Sequence, residues 1–335
     1  MIGAGPPWPA YFVDYPGFPD SMSDTAATSV PIPATLAPLT TVRDLIRWGA
    51  SEFNRHGLVF GHGTDNALDE AFHLVLSSLK LPFDLPAVYL ETHLAEDERA
   101  AALNLLRQRV ETRKPAPYLT GISYFCGLEF EVDERALVPR SPIGEMIEAQ
   151  FRPWLPRDPQ TILDLCSGSG CIGIAAAFAF PEATVDLAEI DDGALDVMAR
   201  NIIRHHVKDR VRPVVGDLFA PLGKKRYDLI VSNPPYVPTA EWAALAPEFQ
   251  HEPKRALEAG ADGMDIVERI LNDAPTYLTD NGVLICEIGG SDDEFEARFP
   301  GIPVSWPEFD KGGDGVFVIT REELSEWLRA RKRRK

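Results

Sequence analysis

A strand that breaks into a glycine-rich turn and reopens as a helix leaves few folds open. Thr161-Ile-Leu-Asp164-Leu-Cys166 gives way to Ser167-Gly168-Ser169-Gly170, and Cys171-Ile172 then begins a helical stretch. A short, branched apolar run bounded by turn residues reads as a buried parallel strand. Glycines at its end let another molecule approach the backbone with no Cβ in the way. Ala183-Thr-Val-Asp-Leu-Ala-Glu189-Ile190 follows as a second strand ending in an acid. The acid falls about 20 residues on, the spacing at which a carboxylate meets ribose hydroxyls in a nucleotide-type α/β half.

A further apolar run, Tyr227-Asp-Leu-Ile-Val231, ends in Ser232-Asn233-Pro234-Pro235-Tyr236. Ligands of open α/β sheets lie beyond the carboxyl ends of strands, where this stretch falls. Consecutive prolines remove two N–H donors and stiffen φ, and Pro234 pushes Asn233 towards an extended conformation. The Asn233 oxygen and a neighbouring backbone carbonyl can then accept from one planar NH2 group, with the Tyr236 ring face beside it. Asn-Pro-Pro alone is as often a plain proline turn. Glycine turn, strand-end acid and Asn-Pro-Pro-Tyr in this order favour a device for holding an amide or exocyclic amine.

These stretches, Asp164 to Gly170, Glu189 and Asn233 to Tyr236, resemble the class I S-adenosylmethionine-dependent methyltransferases that act on planar nitrogens. Within them the chain is similar to the protein N5-glutamine methyltransferases, the HemK/PrmC/PrmB group. Tyr118-Leu-Thr-Gly121, Phe125-Cys-Gly-Leu-Glu-Phe130, Leu137-Val-Pro-Arg-Ser-Pro-Ile-Gly-Glu145, His251-Glu-Pro253 and Phe309-Asp-Lys-Gly-Gly-Asp-Gly-Val316 narrow the match. The likeness covers roughly residues 40–325. Pro-Arg-Ser-Pro-Ile-Gly-Glu145 resembles the branch that methylates a glutamine of large-subunit ribosomal protein L-three. The branch acting on peptide chain release factors more usually has Pro-Arg-Pro followed by an acid there. Release factors therefore stand as the alternative substrate, and an adenine-N6 DNA methyltransferase, which grips an exocyclic amine with the same tetrapeptide, as the more distant one.

A formal net charge of −18 argues against a dedicated duplex-DNA binder. It suits a very basic partner such as a ribosomal protein, although on charge alone plain solubility is the favoured reading. Cys126, Cys166, Cys171 and Cys286 show no CxxC spacing and read as reduced thiols in a cytoplasmic protein. No stretch reaches the ~18 apolar residues of a membrane span, and no signal peptide is apparent. No His/Cys/carboxylate cluster has metal-ligand spacing, so no metal is expected.

Residues 1–38, rich in Pro, Gly, Ser, Thr and Ala, read as a disordered extension, with either Met1 or Met22 as the start. Residues 39–115 read as a small helical domain: one helix from Thr41, a second capped by Asp65, a third over Glu96–Thr112. The resemblance makes it a substrate-recognition domain; a packing cap is the alternative. Residues 116–140 read as a β-hairpin linker turning at Gly127, and residues 141–325 as the catalytic domain. Its strands are expected near 161–166, 183–190, 211–216, 227–232, 282–288, 302–309 and 315–320, alternating with helices: a Rossmann-like α/β fold with a seven-stranded sheet. The basic tail 326–335 reads as a solvated helix end, with transient ribosomal RNA contact as a minor alternative.

By resemblance, S-adenosylmethionine meets Asp164, Cys166, Ser167, Gly168, Ser169 and Gly170, with Cys166 standing at the family's first glycine. Glu189 takes the ribose hydroxyls, and Asp217 and Leu218 meet the adenine edge, unless Asp217 is simply a helix cap. Asn233, Pro234, Pro235 and Tyr236 form the catalytic and substrate grip. Arg140 and Glu145 line the mouth, or are a surface arginine and a first-turn glutamate. An amide nitrogen is a poor nucleophile, and two acceptors gripping its NH2 push electron density onto it. On this reading no strong base is needed before transfer, the product losing its proton to water or a passing acceptor.

Overall fold

The computed structural model describes residues 36–334. Most of the extension assigned to 1–38 therefore lies outside the described residues, while Leu36 and Leu39 already pack on the first apolar cluster. That cluster is built by α1 (Val42–Arg55), α2 (Ala67–Ser78) and α3 (Glu96–Thr112), with the short α4 (Ala116–Thr120) closing it. Thr41 caps α1 reciprocally: its hydroxyl accepts the Asp44 N–H at 3.1 Å, and the Asp44 carboxylate accepts the Thr41 N–H at 3.0 Å. The cap of α2 is Asn66 rather than Asp65, its side-chain oxygen accepting the Asp69 N–H at 3.0 Å. Asn and Asp cap about equally well, so adjacent candidates cannot be ranked by type.

The hairpin is shorter than the sequence suggests, because residues 116–120 turn helical as α4. It comprises β1 (Ile122–Phe125) and β2 (Leu128–Glu131), paired antiparallel. Cys126 at φ 49° and Gly127 at φ 73° form the turn, both left-handed as the tight two-residue hairpin loop requires. Asn201, fully buried, fixes β2 against the catalytic domain. Its oxygen accepts the Glu131 N–H at 2.8 Å, and its amide donates to the carbonyls of Glu131 and Ser169, both at 3.0 Å.

After α5 (Ile143–Glu148) the chain alternates β3 (Thr161–Leu165), α6 (Cys171–Ala179), β4 (Thr184–Glu189), α7 (Asp192–Arg204), β5 (Val211–Val215) and β6 (Tyr227–Ser232). It continues through α8 (Thr239–Trp242), α9 (Asp265–Tyr277), β7 (Leu278–Glu287), α10 (Asp292–Arg298), β8 (Val316–Thr320) and α11 (Arg321–Arg334). Among the described residues the main sheet has six strands in the order β5-β4-β3-β6-β7-β8, parallel except for the last pair. Apolar clusters cover both faces. The order reverses direction between β3 and β6, where α/β sheets open a crevice for ligands.

The seventh strand, expected near 302–309, is reduced to one bridge, in which Ser305 and Val318 exchange two backbone hydrogen bonds at 2.9 and 2.8 Å. The next hydrogen-bonded positions on either side of Ser305 are Pro303 and Pro307, which have no N–H to give, so the ladder stops. The basic tail is the end of α11, where the Arg331 guanidinium lies 5.1 Å from the Trp327 ring centre and reaches Glu268 at 3.1 Å.

Candidate active site

Strand register assembles the site. Leu165 pairs with Ala188 on one side and Ser232 on the other, and Ser232 pairs with Cys286. The next residues, Glu189, Cys166, Asn233 and Glu287, therefore stand in a row across the carboxyl edge of the sheet. Two cavities open on this edge. A cleft of about 350 Å³ is lined by Cys166, Gly168, Glu189, Asp217, Leu218 and Pro235, among others. A much smaller pocket, about 20 Å³, is lined by Arg140, Asn233, Tyr236 and Glu287, among others. Asn233 lines both.

The glycine turn forms one wall of the cleft. Cys166 takes φ 57° and Gly168 φ 53°, and a Cβ built on Gly168 would meet nothing within 4 Å, so the backbone here faces open space. Cys166 adopts a conformation that costs a residue bearing a Cβ roughly 1 kcal/mol. Burial pushes its thiol pKa up, helped by the nearby Glu189 carboxylate. Ser167 donates its hydroxyl to the Asp164 carbonyl at 2.7 Å, and Gly170 caps α6 at φ 81°. Ser167, Ser169 and Gly170 shape the turn from beneath and do not line the cleft.

Asp164 also sits below the floor. One of its oxygens accepts the Gly173 N–H at 2.9 Å, and the other has no partner. Burial pushes its pKa up to about 8, against the pull of the Gly173 N–H. It holds the start of α6 to the turn. Glu189 is nearly buried too, its carboxylate accepting the N–H groups of Gly168, Ile190 and Asp191 at 2.8–2.9 Å. Beside it Ile190 is 47% exposed at the cleft, an apolar side chain left for a flat ring to cover. The Asp217 carboxylate pairs with Arg269 at 2.6 Å rather than capping a helix, and Leu218 beside it takes φ 49°.

Three glycines fix the residues after β6. A Cβ on Gly263 would lie 2.0 Å from the Tyr236 carbonyl oxygen, and one on Gly289 would lie 2.7 Å from the Tyr236 ring. A Cβ on Gly315 would strike the Gly289 carbonyl at 1.6 Å, and this loop is anchored by Glu145, which accepts the N–H groups of Asp310 and Lys311 at 2.9 and 3.0 Å. Tyr236 thus stands in a slot, its hydroxyl donating to Glu287 at 3.2 Å.

Arg140 enters the small pocket already paired. Its guanidinium donates to both carboxylate oxygens of Glu252 at 2.7 and 2.5 Å. The Glu252 carboxyl also accepts the Val138 N–H and lies 3.5 Å from His62, which comes from the segment between α1 and α2. Arg140 and His62 hold its pKa down to about 2 against the opposing effect of burial. Nearby, Glu248 accepts the Val59 N–H at 2.9 Å and pairs with Arg113 at 2.7 Å. The Arg113–Glu248 ion pair and the His62–Glu252 contact therefore tie the helical region to the segment that carries Glu252, the partner of Arg140. Glu252, Glu287, Asn201, Gly263 and Gly289 have roles that local sequence pattern did not reveal. For Glu287 one signal was present, an acid inside the apolar run Val283–Ile288.

A carboxylate at the second strand end, an open glycine turn and a cleft wide enough for a nucleoside fit S-adenosylmethionine, and together with the strand order they define a class I methyltransferase that uses it. A family model, the methyltransferase small domain, matches residues 151–262. The chain is 44% identical over 297 residues to a ribosomal protein uL3 glutamine methyltransferase of Francisella tularensis, covering 88% of this chain and 95% of the relative. It is 49% identical over 287 residues to the protein of the same description from Xanthomonas campestris, covering 85% and 93%. Among solved structures, a methyltransferase from Pyrococcus furiosus aligns with a TM-score of 0.44 at 20% identity, over 58% of this chain and 89% of that one. The chain belongs to the ribosomal protein uL3 glutamine methyltransferase family.

Proposed function

We propose that this enzyme methylates the side-chain nitrogen of a glutamine in ribosomal protein uL3, the L-three of the large subunit. One observation carries the chemistry: Asn233 lines both the cofactor cleft and a pocket the size of a single small polar group. S-adenosylmethionine, when bound, supplies an electrophilic methyl group. Glu189 and the glycine turn hold its nucleoside end, and Asp217 and Leu218 border the adenine. From the other cavity Asn233 Oδ1 and a neighbouring backbone carbonyl grip the substrate NH2, while Tyr236 offers its ring. Holding both partners in line converts an encounter into an intramolecular step, and the paired acceptors raise the nitrogen's electron density.

The relatives' description supports uL3 as the protein that supplies the amide, and so does the net charge of −18, which draws a basic ribosomal protein. No helix among the described residues is long and apolar enough to cross a membrane, and such a substrate puts the reaction in the cytoplasm. The chemistry is tested by incubating the enzyme with radiolabelled S-adenosylmethionine and separate protein, DNA and RNA fractions. Label in protein supports the reading; label confined to DNA or RNA overturns it in favour of a base methyltransferase.

A further inference from the structure

Glu287 is an acid buried at the carboxyl edge of the sheet. It ends β7 in the wall of the small pocket, beside Asn233 by strand register and 5% exposed. A buried carboxylate is costly unless donors surround it. Here the Tyr236 hydroxyl donates to one oxygen at 3.2 Å and the Ser141 hydroxyl to the other, with the Arg140 guanidinium across the pocket.

Burial still pushes the Glu287 pKa up to about 7, and Ser141, Tyr236, Arg140 and Asn233 all pull it the other way. Four neighbouring groups are held away from a change of state near neutrality. Burial raises the Tyr236 hydroxyl and the adjoining Cys286 thiol, Arg140 stays cationic on Glu252, and Glu252 itself is held down to about 2. Of the ionisable side chains lining the pocket, Arg140, Tyr236 and Glu287, the last alone titrates in the range where an enzyme can use a base.

Methylation leaves an amide nitrogen with one proton too many, and neither the Asn233 oxygen nor a backbone carbonyl is basic enough to keep it. We propose that Glu287 is the catalytic base: its carboxylate shares with the backbone carbonyl the NH2 hydrogen that Asn233 does not hold, and takes that proton as the nitrogen–carbon bond forms. The carbon–sulfur bond breaks in the same step, its electron pair leaving with sulfur, and the carboxylic acid later releases the proton to water. This rests on the site acting on a primary amide, whichever protein carries that amide.

The test uses the full chain with S-adenosylhomocysteine in the cleft and a small primary-amide probe, N-acetylglutamine N-methylamide. Probe affinity is measured by calorimetry between about pH 5.5 and 8.5, a range spanning an enzyme base poised near neutrality. Because the ionised carboxylate accepts from NH2 more strongly than the neutral acid does, affinity should fall about tenfold as pH drops through 7, and Glu287→Gln should abolish this dependence. Ser141→Ala removes a donor to the carboxylate and should move the midpoint up by about one pH unit. This variant decides the matter even where Glu287→Gln folds poorly. In turnover with an unmethylated protein substrate, kcat should rise through the same pH range, and Glu287→Gln should lower it about a hundredfold and flatten the profile. A pH-independent probe affinity, no probe binding at all, or an unshifted Ser141→Ala midpoint overturns the proposal. Probe binding that responds as expected while uL3 stays unmethylated leaves Glu287 in place and removes only the substrate assignment.

Discussion

Glu189 Oε2 accepts the Gly168 N–H at 2.9 Å, so the acid at the end of β4 and the glycine turn after β3 are already joined across the cleft floor. Its other oxygen accepts from Ile190 and Asp191. The glutamate arm folds back onto these donors, and its carboxylate borders the cleft. Glu189→Ala should weaken S-adenosylmethionine binding by ~1.5–3 kcal/mol, the usual cost of a lost charge-assisted contact. Calorimetry showing unchanged affinity would move the ribose contact elsewhere.

Asn233→Ala should leave cofactor affinity nearly intact and cut turnover about a hundredfold, since one positioned polar partner at a transition state contributes on the order of 3 kcal/mol. Single-turnover methylation with saturating cofactor reads this directly. Near-normal rates would remove the Asn233 grip from the mechanism.

Gly289→Ala tests the slot around Tyr236. Gly289 sits at φ 55°, and a Cβ there would come within 2.7 Å of the ring. Strain and collision together should cost about 1–3 kcal/mol of stability. The displaced ring should also lower kcat more than cofactor affinity. Unchanged kcat in a folded variant would mean that Tyr236 has room to move.

The Arg140–Glu252 pair predicts a pH dependence of stability. The folded-state pKa of Glu252 is depressed to about 2, so its contribution is complete above the ordinary glutamate value of 4.5 and is lost as pH falls towards 2. By linkage that share is about 3 kcal/mol. Glu252→Gln should lower stability at pH 7 by a similar amount, by leaving Arg140 unpaired, and should reduce the acid dependence. Thermal melts of both proteins at neutral and acid pH check it. Identical melting curves would show the pair to be energetically neutral.

Sequence revealed most where local patterning controls structure. Buried runs such as Ile162–Leu165 and Leu229–Val231 announce their strands, and Gly168 and Gly170 announce their turn. The Ser305 segment failed because its apolar pattern says strand while its prolines forbid the ladder. Asn201, Glu252 and Glu287 were hidden for another reason: their partners Glu131, Arg140 and Ser141 lie 70, 112 and 146 residues away in the chain. Such pairings are decided by tertiary packing, and periodicity carries no trace of them.

The substrate is tested most directly by competition. Unmodified uL3 and an unmodified release factor are offered together with the enzyme and S-adenosylmethionine, and mass spectrometry of their peptides locates the methyl group. We predict one methylated glutamine in uL3 and none in the release factor. Methylation of the release factor with uL3 untouched would contradict the assignment.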